Sequence, residues 1–178
     1  MHRRGHYGLA LLAFSPLAFL LDIGHASSAT LVGIVIVAGV APLPDFDQRI
    51  PFVKHRGITH TVWFIIGMSM TASAVTWIAA VQGGKTLHQT VPAAGPVSPV
   101  LPAFTVGFLV ALGLTTHLLG DVITPMGIKP FAPVRETKYT WKLTTSGDAT
   151  ANNVLLVAGL GAIGAAIYIP HLLATIGA

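Results

Sequence analysis

The sequence predicts an all-α, polytopic membrane protein, a bundle of about five transmembrane helices with the N-terminus inside. Three observations predict it. Hydrophobic residues fill 53% of the 178 positions and charged residues only 9%, with a mean hydropathy of +0.73. A soluble domain carries about 25% charged residues, and so short a chain has too much surface for its volume to hide the excess apolar area from water. Five apolar stretches approach the roughly 20 residues that a helix needs to cross hydrocarbon. The basic residues, finally, fall on alternate loops.

The five predicted spans cover residues 7–21, 28–43, 60–81, 101–119 and 153–173. The first two are short, and their ends reach only the interfaces. Pro16 is placed to kink the first, and Pro170 to kink or end the fifth. Short cytoplasmic loops retain Lys and Arg, which fixes the orientation. With the N-terminus inside, Arg3 and Arg4, then Arg49, Lys54 and Arg56, then Lys129, Arg135, Lys138 and Lys142 are all inside. Only Lys85 is outside, so nine of the ten basic residues share one face. The expected location is the cell membrane, and membrane lipids are the expected surroundings.

The opening segment also has the layout of a signal peptide, with a charged start at residues 1–4, an apolar core at 9–21, and Ala26 and Ser28 near a cleavage position. The immediate onset of the next apolar stretch favours a first span instead. Residues 91–102, rich in Pro, Ala, Gly and Val, read as a loop. The remainder forms one membrane-embedded domain over residues 1–178. There is no cysteine, which removes disulfides, thiolate ligands and a cysteine nucleophile together. The net charge of +4 is scattered without a basic run, so no nucleic-acid partner is expected.

The polar residues concentrate at the inner ends of the spans. His2, His6, His55, His60 and His117 fall inside, whereas His25, His88 and His171 fall outside. Asp45, Asp47 and Asp121 also fall at inner ends. Ionisable groups next to hydrocarbon are costly, so they are usually paired, bound or functional. In Leu43-Pro44-Asp45-Phe46-Asp47, two carboxylates at i and i+2 can bind one cation or divide between two, although Pro and Asp are also ordinary turn residues. In His55-Arg56-Gly57-Ile58-Thr59-His60, two imidazoles straddle a glycine whose freedom at positive φ suits a tight turn, and Thr59 is placed to cap the third span. In His117-Leu118-Leu119-Gly120-Asp121, the His and Asp are four apart and share one helix face. That spacing suits a pair of metal ligands, a ligand with its orienting carboxylate, or a plain buried hydrogen bond. His6 alone, near a terminus, says little.

The combination says more. Hydropathy placed the helices and Lys/Arg the side, and neither step used His or Asp. Nitrogen and oxygen donors without sulfur suit Zn²⁺, Mn²⁺, Fe²⁺ or Ni²⁺. The expected metal ligands are His6, Asp45, His60, His117 and Asp121, with Asp47, His55 and Arg56 as candidate catalytic residues.

These motifs, in this order, resemble the YdjM family, whose members are described as inner-membrane, metal-dependent hydrolases. The resemblance runs from His6 through the His117 motif, with Thr124, Pro125 and Gly127 after it, to about residue 160. A more distant similarity is to the zinc-dependent phospholipase C and P1 nuclease group, where an ordered set of His and Asp holds three zinc ions. The order His6, Asp45, His60, His117, Asp121 is similar. Downstream the chain departs from that group, and Asn152 and Asn153 stand where YdjM-type chains carry a glutamate. The resemblance therefore implies one or two divalent ions, zinc by analogy, rather than a full cluster.

The expected function is a metal-dependent hydrolase at the cytoplasmic membrane face, acting on a small-molecule or lipid-linked substrate such as a phosphoester. A bound metal lowers the pKa of water. Asp45 or Asp47 is then a general base or bridging ligand. Arg56 is suited to an anionic oxygen, with Lys54 as an assisting point charge. A transporter or metal carrier is the second reading, but the middles of the third, fourth and fifth spans offer only Ser, Thr and Gly. A non-enzymatic scaffold with a structural metal is the third.

Overall fold

The computed structural model describes residues 1–52, 55–90 and 98–177, with residues 87, 88 and 90 described in backbone alone. Lys54, and much of the loop predicted at 91–102, lie outside the described residues, as does the side chain of His88. Five α-helices follow one another: α1 (Arg3–Ile23), α2 (Ser27–Val40), α3 (Val62–Thr90), α4 (Val100–Val122) and α5 (Ala149–Thr175). Two short 3-10 helices, Leu43–Arg49 and Ile58–His60, fill the connection between α2 and α3. Among the described residues there is no strand, only a single antiparallel bridge between Ile128 and Tyr139.

Among the described residues, five stretches are long and apolar enough to cross a membrane: Arg3–Ile23, Ser27–Arg49, Val62–Thr86, Val100–Val122 and Ala149–Thr175. The predicted helix positions hold, with shifted ends. Helix α2 ends at Val40, a turn at Ala41 and Pro42 follows, and the 3-10 helix Leu43–Arg49 then carries Asp45 and Asp47. Pro170 does not end the last helix, which runs on to Thr175.

The exposed surface explains why hydropathy is so informative. Leu31, Val35, Met70, Val75, Ile78, Phe104, Val157 and Tyr168 all point outward. Water would penalise such a surface at roughly 25 cal/mol per Å², whereas lipid tails do not. Inside, Phe14, Ala10, Ala18, Val37, Leu109 and Ile163 form a core shared by α1, α2, α4 and α5. Helix α3 packs chiefly on α4.

The most extensive helix–helix contact is between α1 and α5. A Cβ on Gly159 would lie 2.3 Å from the Gly8 carbonyl oxygen, and one on Gly8 would lie 2.2 Å from that of Leu155. Only glycine permits this approach, the small-residue contact that lets helices associate where no hydrophobic force drives them together. It aligns the start of α1 with the start of α5. Because successive helices run back and forth, the starts of α1, α3 and α5 and the ends of α2 and α4 meet at one end of the bundle.

Candidate metal centre

That end gathers the histidines and aspartates of the three sequence motifs. One ligand atom each from Asp45, His60, His117 and Asp121 lies within 4.8 Å of all the others. His60 Nε2 is 3.2 Å from His117 Nε2, 3.2 Å from Asp121 Oδ2 and 3.6 Å from Asp45 Oδ1. His117 Nε2 is 3.6 Å from Asp45 Oδ1 and 3.7 Å from Asp121 Oδ2. His60, His117 and Asp121 are fully buried, and Asp45 retains 14% side-chain exposure.

The outer nitrogens decide the electronic character of this pocket. His117 Nδ1 sits 2.7 Å from the Ala41 carbonyl oxygen, which can only accept, so Nδ1 carries the proton. The Thr59 hydroxyl donates to Asp47 Oδ2 at 2.7 Å and stands 2.9 Å from His60 Nδ1, so that nitrogen is again the donor. In their neutral form both rings therefore turn an Nε2 lone pair inward, towards each other and towards two carboxylate oxygens. Asp121 Oδ2 and both nitrogens of His6 are buried without a hydrogen-bond partner. A group of acceptors facing acceptors is repulsive unless a cation or a proton occupies it. Burial works against a charged His60 ring, but the Asp121 and Asp45 carboxylates outweigh it and raise its pKa above the ordinary value. The donor set fits a divalent ion held by nitrogen and oxygen.

Around this set lies a supporting shell. Asp47 is 1% exposed and accepts from Thr59, from the backbone N–H of Arg56 at 3.1 Å and from His55 Nδ1 at 2.8 Å. Arg56 Nη2 donates to Asp121 Oδ1 at 2.9 Å, and its Nη1 to the Gly127 carbonyl at 3.1 Å. The Met1 amino nitrogen donates to the same Asp121 oxygen at 2.6 Å. His6 stacks on His117 with centroids 3.8 Å apart and places Nε2 3.7 Å from Asp121 Oδ1. A Cβ on Gly120 would lie 2.8 Å from His6 Nδ1, so a glycine there makes room for the ring. Asp47, His55 and His60 form a second mutually close group.

Two local expectations are corrected. Thr59 does not cap the third span, because a 3-10 turn ending at His60 intervenes. Thr61 accepts the Phe64 N–H instead, at 3.3 Å, and frees Thr59 to link Asp47 to His60. Nor does Gly57 take the left-handed conformation: its φ is −86°, and Arg56 has φ +59°. The strain at Arg56 is held by its contacts to Asp47, Asp121 and Gly127.

Sequence reasoning missed Thr59 as a link, the Ala41 carbonyl, and the bridging role of Asn152, which it marked only as a departure from the family pattern. Asn152 is 2% exposed, accepts the His2 N–H at 3.1 Å, and donates to the Ser146 and Asp148 carbonyls. It sits on the first turn of α5, which Asp148 caps by accepting from Ala151 N–H at 3.0 Å. That bond, with the Thr144 hydroxyl, holds the Asp148 carboxyl below its ordinary range. Asn152 thus clips the N-terminal segment over the site.

A cavity of about 860 Å³ opens in front of the cluster. Asp45, His55 and Arg56 line it, together with Arg3, Arg4, Arg49, Asn152 and Asn153. At the opposite end of the bundle Asp22 is buried but satisfied, accepting from Ser27 at 2.6 Å and Thr30 at 2.7 Å, with His171 3.8 Å away.

Fold and site together define a multi-pass helical membrane protein whose buried His/Asp group can hold a metal ion. The family model described as YdjM inner membrane protein matches residues 1–176, and the chain belongs to that family. No match was found among curated proteins or among solved structures.

Proposed function

We propose that the protein is a metal-dependent hydrolase whose centre opens to the cytoplasmic face of the membrane. The observation that carries this reading is the acceptor set of His60, His117, Asp45 and Asp121, in which all but Asp45 are fully buried. Asp45, partly exposed, meets the cavity. A site built only to brace the helices would gain nothing from opening one ligand to a cavity of this size.

Asp45, His60, His117 and Asp121 would hold one ion, and His6 would supply a further nitrogen on the buried side. When bound, a divalent ion of the zinc kind supplies Lewis acidity and makes water more acidic. The rest is the work of the chain. Asp47 fixes His60 through Thr59, and Ala41 fixes His117, so both rings keep their Nε2 lone pairs inward. Asp45 accepts the proton of the attacking water, being the carboxylate of the set that reaches the cavity. His55, held through Nδ1 by Asp47 and lining the cavity, hands a proton to the leaving oxygen. Arg56 fixes Asp121 and lends positive charge to the wall. Water is thereby added across an ester bond, one part taking the hydroxyl and the other the proton.

Elemental analysis of protein purified without chelator, followed by a phosphoesterase and esterase screen, tests this. About one divalent ion per chain and a chelator-sensitive activity are expected. A full complement of metal with no activity in any assay would instead leave a structural site or a carrier.

The cytoplasmic orientation has its own test. Reporter fusions after Ala178 and within the loop joining α3 to α4 are expected to report the outer side. A cytoplasmic signal from either would overturn the orientation.

A further inference from the structure

Three arginines at the cavity take no part in the proposed hydrolysis. Arg3 and Arg4 stand on the first turn of α1, and Arg49 closes the 3-10 segment after α2. All three line the same cavity as Asp45. Their placement is not loose. Arg4 Nη1 donates to Asn153 Oδ1 at 3.2 Å, and the Arg49 guanidinium lies 5.1 Å from the Phe46 ring centroid. The backbone that carries Arg3 and Arg4 is clipped to Asn152 through His2.

The charge around the cavity is one-sided. Among the described residues, no carboxylate pairs with Arg3, Arg4 or Arg49, although Arg56 pairs with Asp121 and Lys129 with Glu136. Asp45 is the one acid among the described residues lining the cavity, against Arg3, Arg4, Arg49 and Arg56. Basic residues at helix ends also set topology, but topology requires only that they share a side. It does not require residues about 45 positions apart to converge on one concavity beside a metal-type centre.

We propose that this cavity is a binding site for a phosphate group, a monoester or diphosphate terminus, held by Arg3, Arg4 and Arg49 in front of Asp45. Guanidinium groups present planar, paired donors that match phosphate oxygens. A single carboxylate is neutralised by one such group, whereas three unpaired guanidiniums suit a dianion. The inference rests on the hydrolase reading for the fate of the bound phosphoester, and it names the substrate class of that site.

The test separates binding from turnover. Inorganic phosphate is titrated calorimetrically into the full-length protein in detergent, with and without chelator, and into Arg3→Gln/Arg4→Gln/Arg49→Gln. Because the triple change can disturb insertion, Arg3→Lys/Arg4→Lys/Arg49→Lys, which keeps every charge, is measured beside it. Wild type is expected to bind phosphate even with chelator present. The Gln variant should lose at least tenfold in affinity and the Lys variant a smaller factor, each with metal content unchanged. Nanodiscs of phosphatidylcholine with or without phosphatidic acid then locate the source. Retention of the inorganic-phosphate affinity in both nanodiscs marks a soluble ligand, and displacement of phosphate by phosphatidic acid marks a lipid headgroup. Phosphate binding that vanishes with chelator, or that both arginine variants retain in full, would overturn the proposal even if hydrolase activity were present. Phosphate binding in a protein with no turnover would instead leave this site standing and remove the hydrolase.

Discussion

Replacing His117 by alanine is expected to strip the protein of its divalent ion. The change removes one of the inward nitrogen donors and leaves the Ala41 carbonyl without its partner. An unmet buried acceptor costs about 1–3 kcal/mol. The variant should therefore melt at a lower temperature as well as lose metal, both measured on protein in the same detergent by elemental analysis and thermal scan. The control is the opposite end of the bundle. A variant with His25, His88 and His171 all replaced by Gln should keep the wild-type metal content, since His25 and His171 border a separate cavity beside Asp22. Metal retained by His117→Ala, or lost from the triple variant, would show that the ion sits elsewhere.

Two neighbouring carboxylates should give different results. Asp45→Asn, which removes a proposed ligand as well as the base, is expected to weaken metal binding and, with metal saturating, still to lower turnover by about 10²–10⁴-fold, the usual contribution of a general base. Asp47→Asn should only weaken metal binding by about 10–100-fold, as loss of an orienting partner does, with turnover largely recovered when metal is added in excess. The reasoning is geometric. Asp47 is sealed and already accepts from Thr59, Arg56 and His55, so it has no lone pair facing the cavity to offer a substrate. Asp45 stands at the opening. Full turnover in Asp45→Asn, with the loss confined to Asp47→Asn, would exchange the two roles.

The helices were legible because the bilayer itself, rather than any partner, selects their composition. A stretch such as Val100–Val122 must be predominantly apolar whatever it touches. The ligand candidates were legible for the complementary reason, because His117 and Asp121 are conspicuous against such a background. What stayed hidden depends on backbone. The Ala41 carbonyl that fixes His117 has no signature in side chains. The left-handed conformation falls on Arg56, not on the adjacent Gly57, because distant anchors outweigh local preference. Thr59 read as a helix cap because it precedes an apolar run, and only the intervening 3-10 turn reassigns it. The arginines at residues 3, 4 and 49 read as topology signals, and their shared cavity appears only when α1 meets the end of α2 and the start of α5.

The clip between His2 and Asn152 spans 150 residues of sequence. A ribosome adds about 5–20 residues per second, so the two partners emerge roughly 8–30 s apart. Until α5 has entered the membrane and seated its glycine against Gly8, the cavity lacks a wall and the first turn of α1 lacks its anchor. If the site holds metal and phosphate as proposed, it does so only once α5 is in place. A chain stalled before residue 149 would carry every proposed ligand without presenting a finished site to the cell.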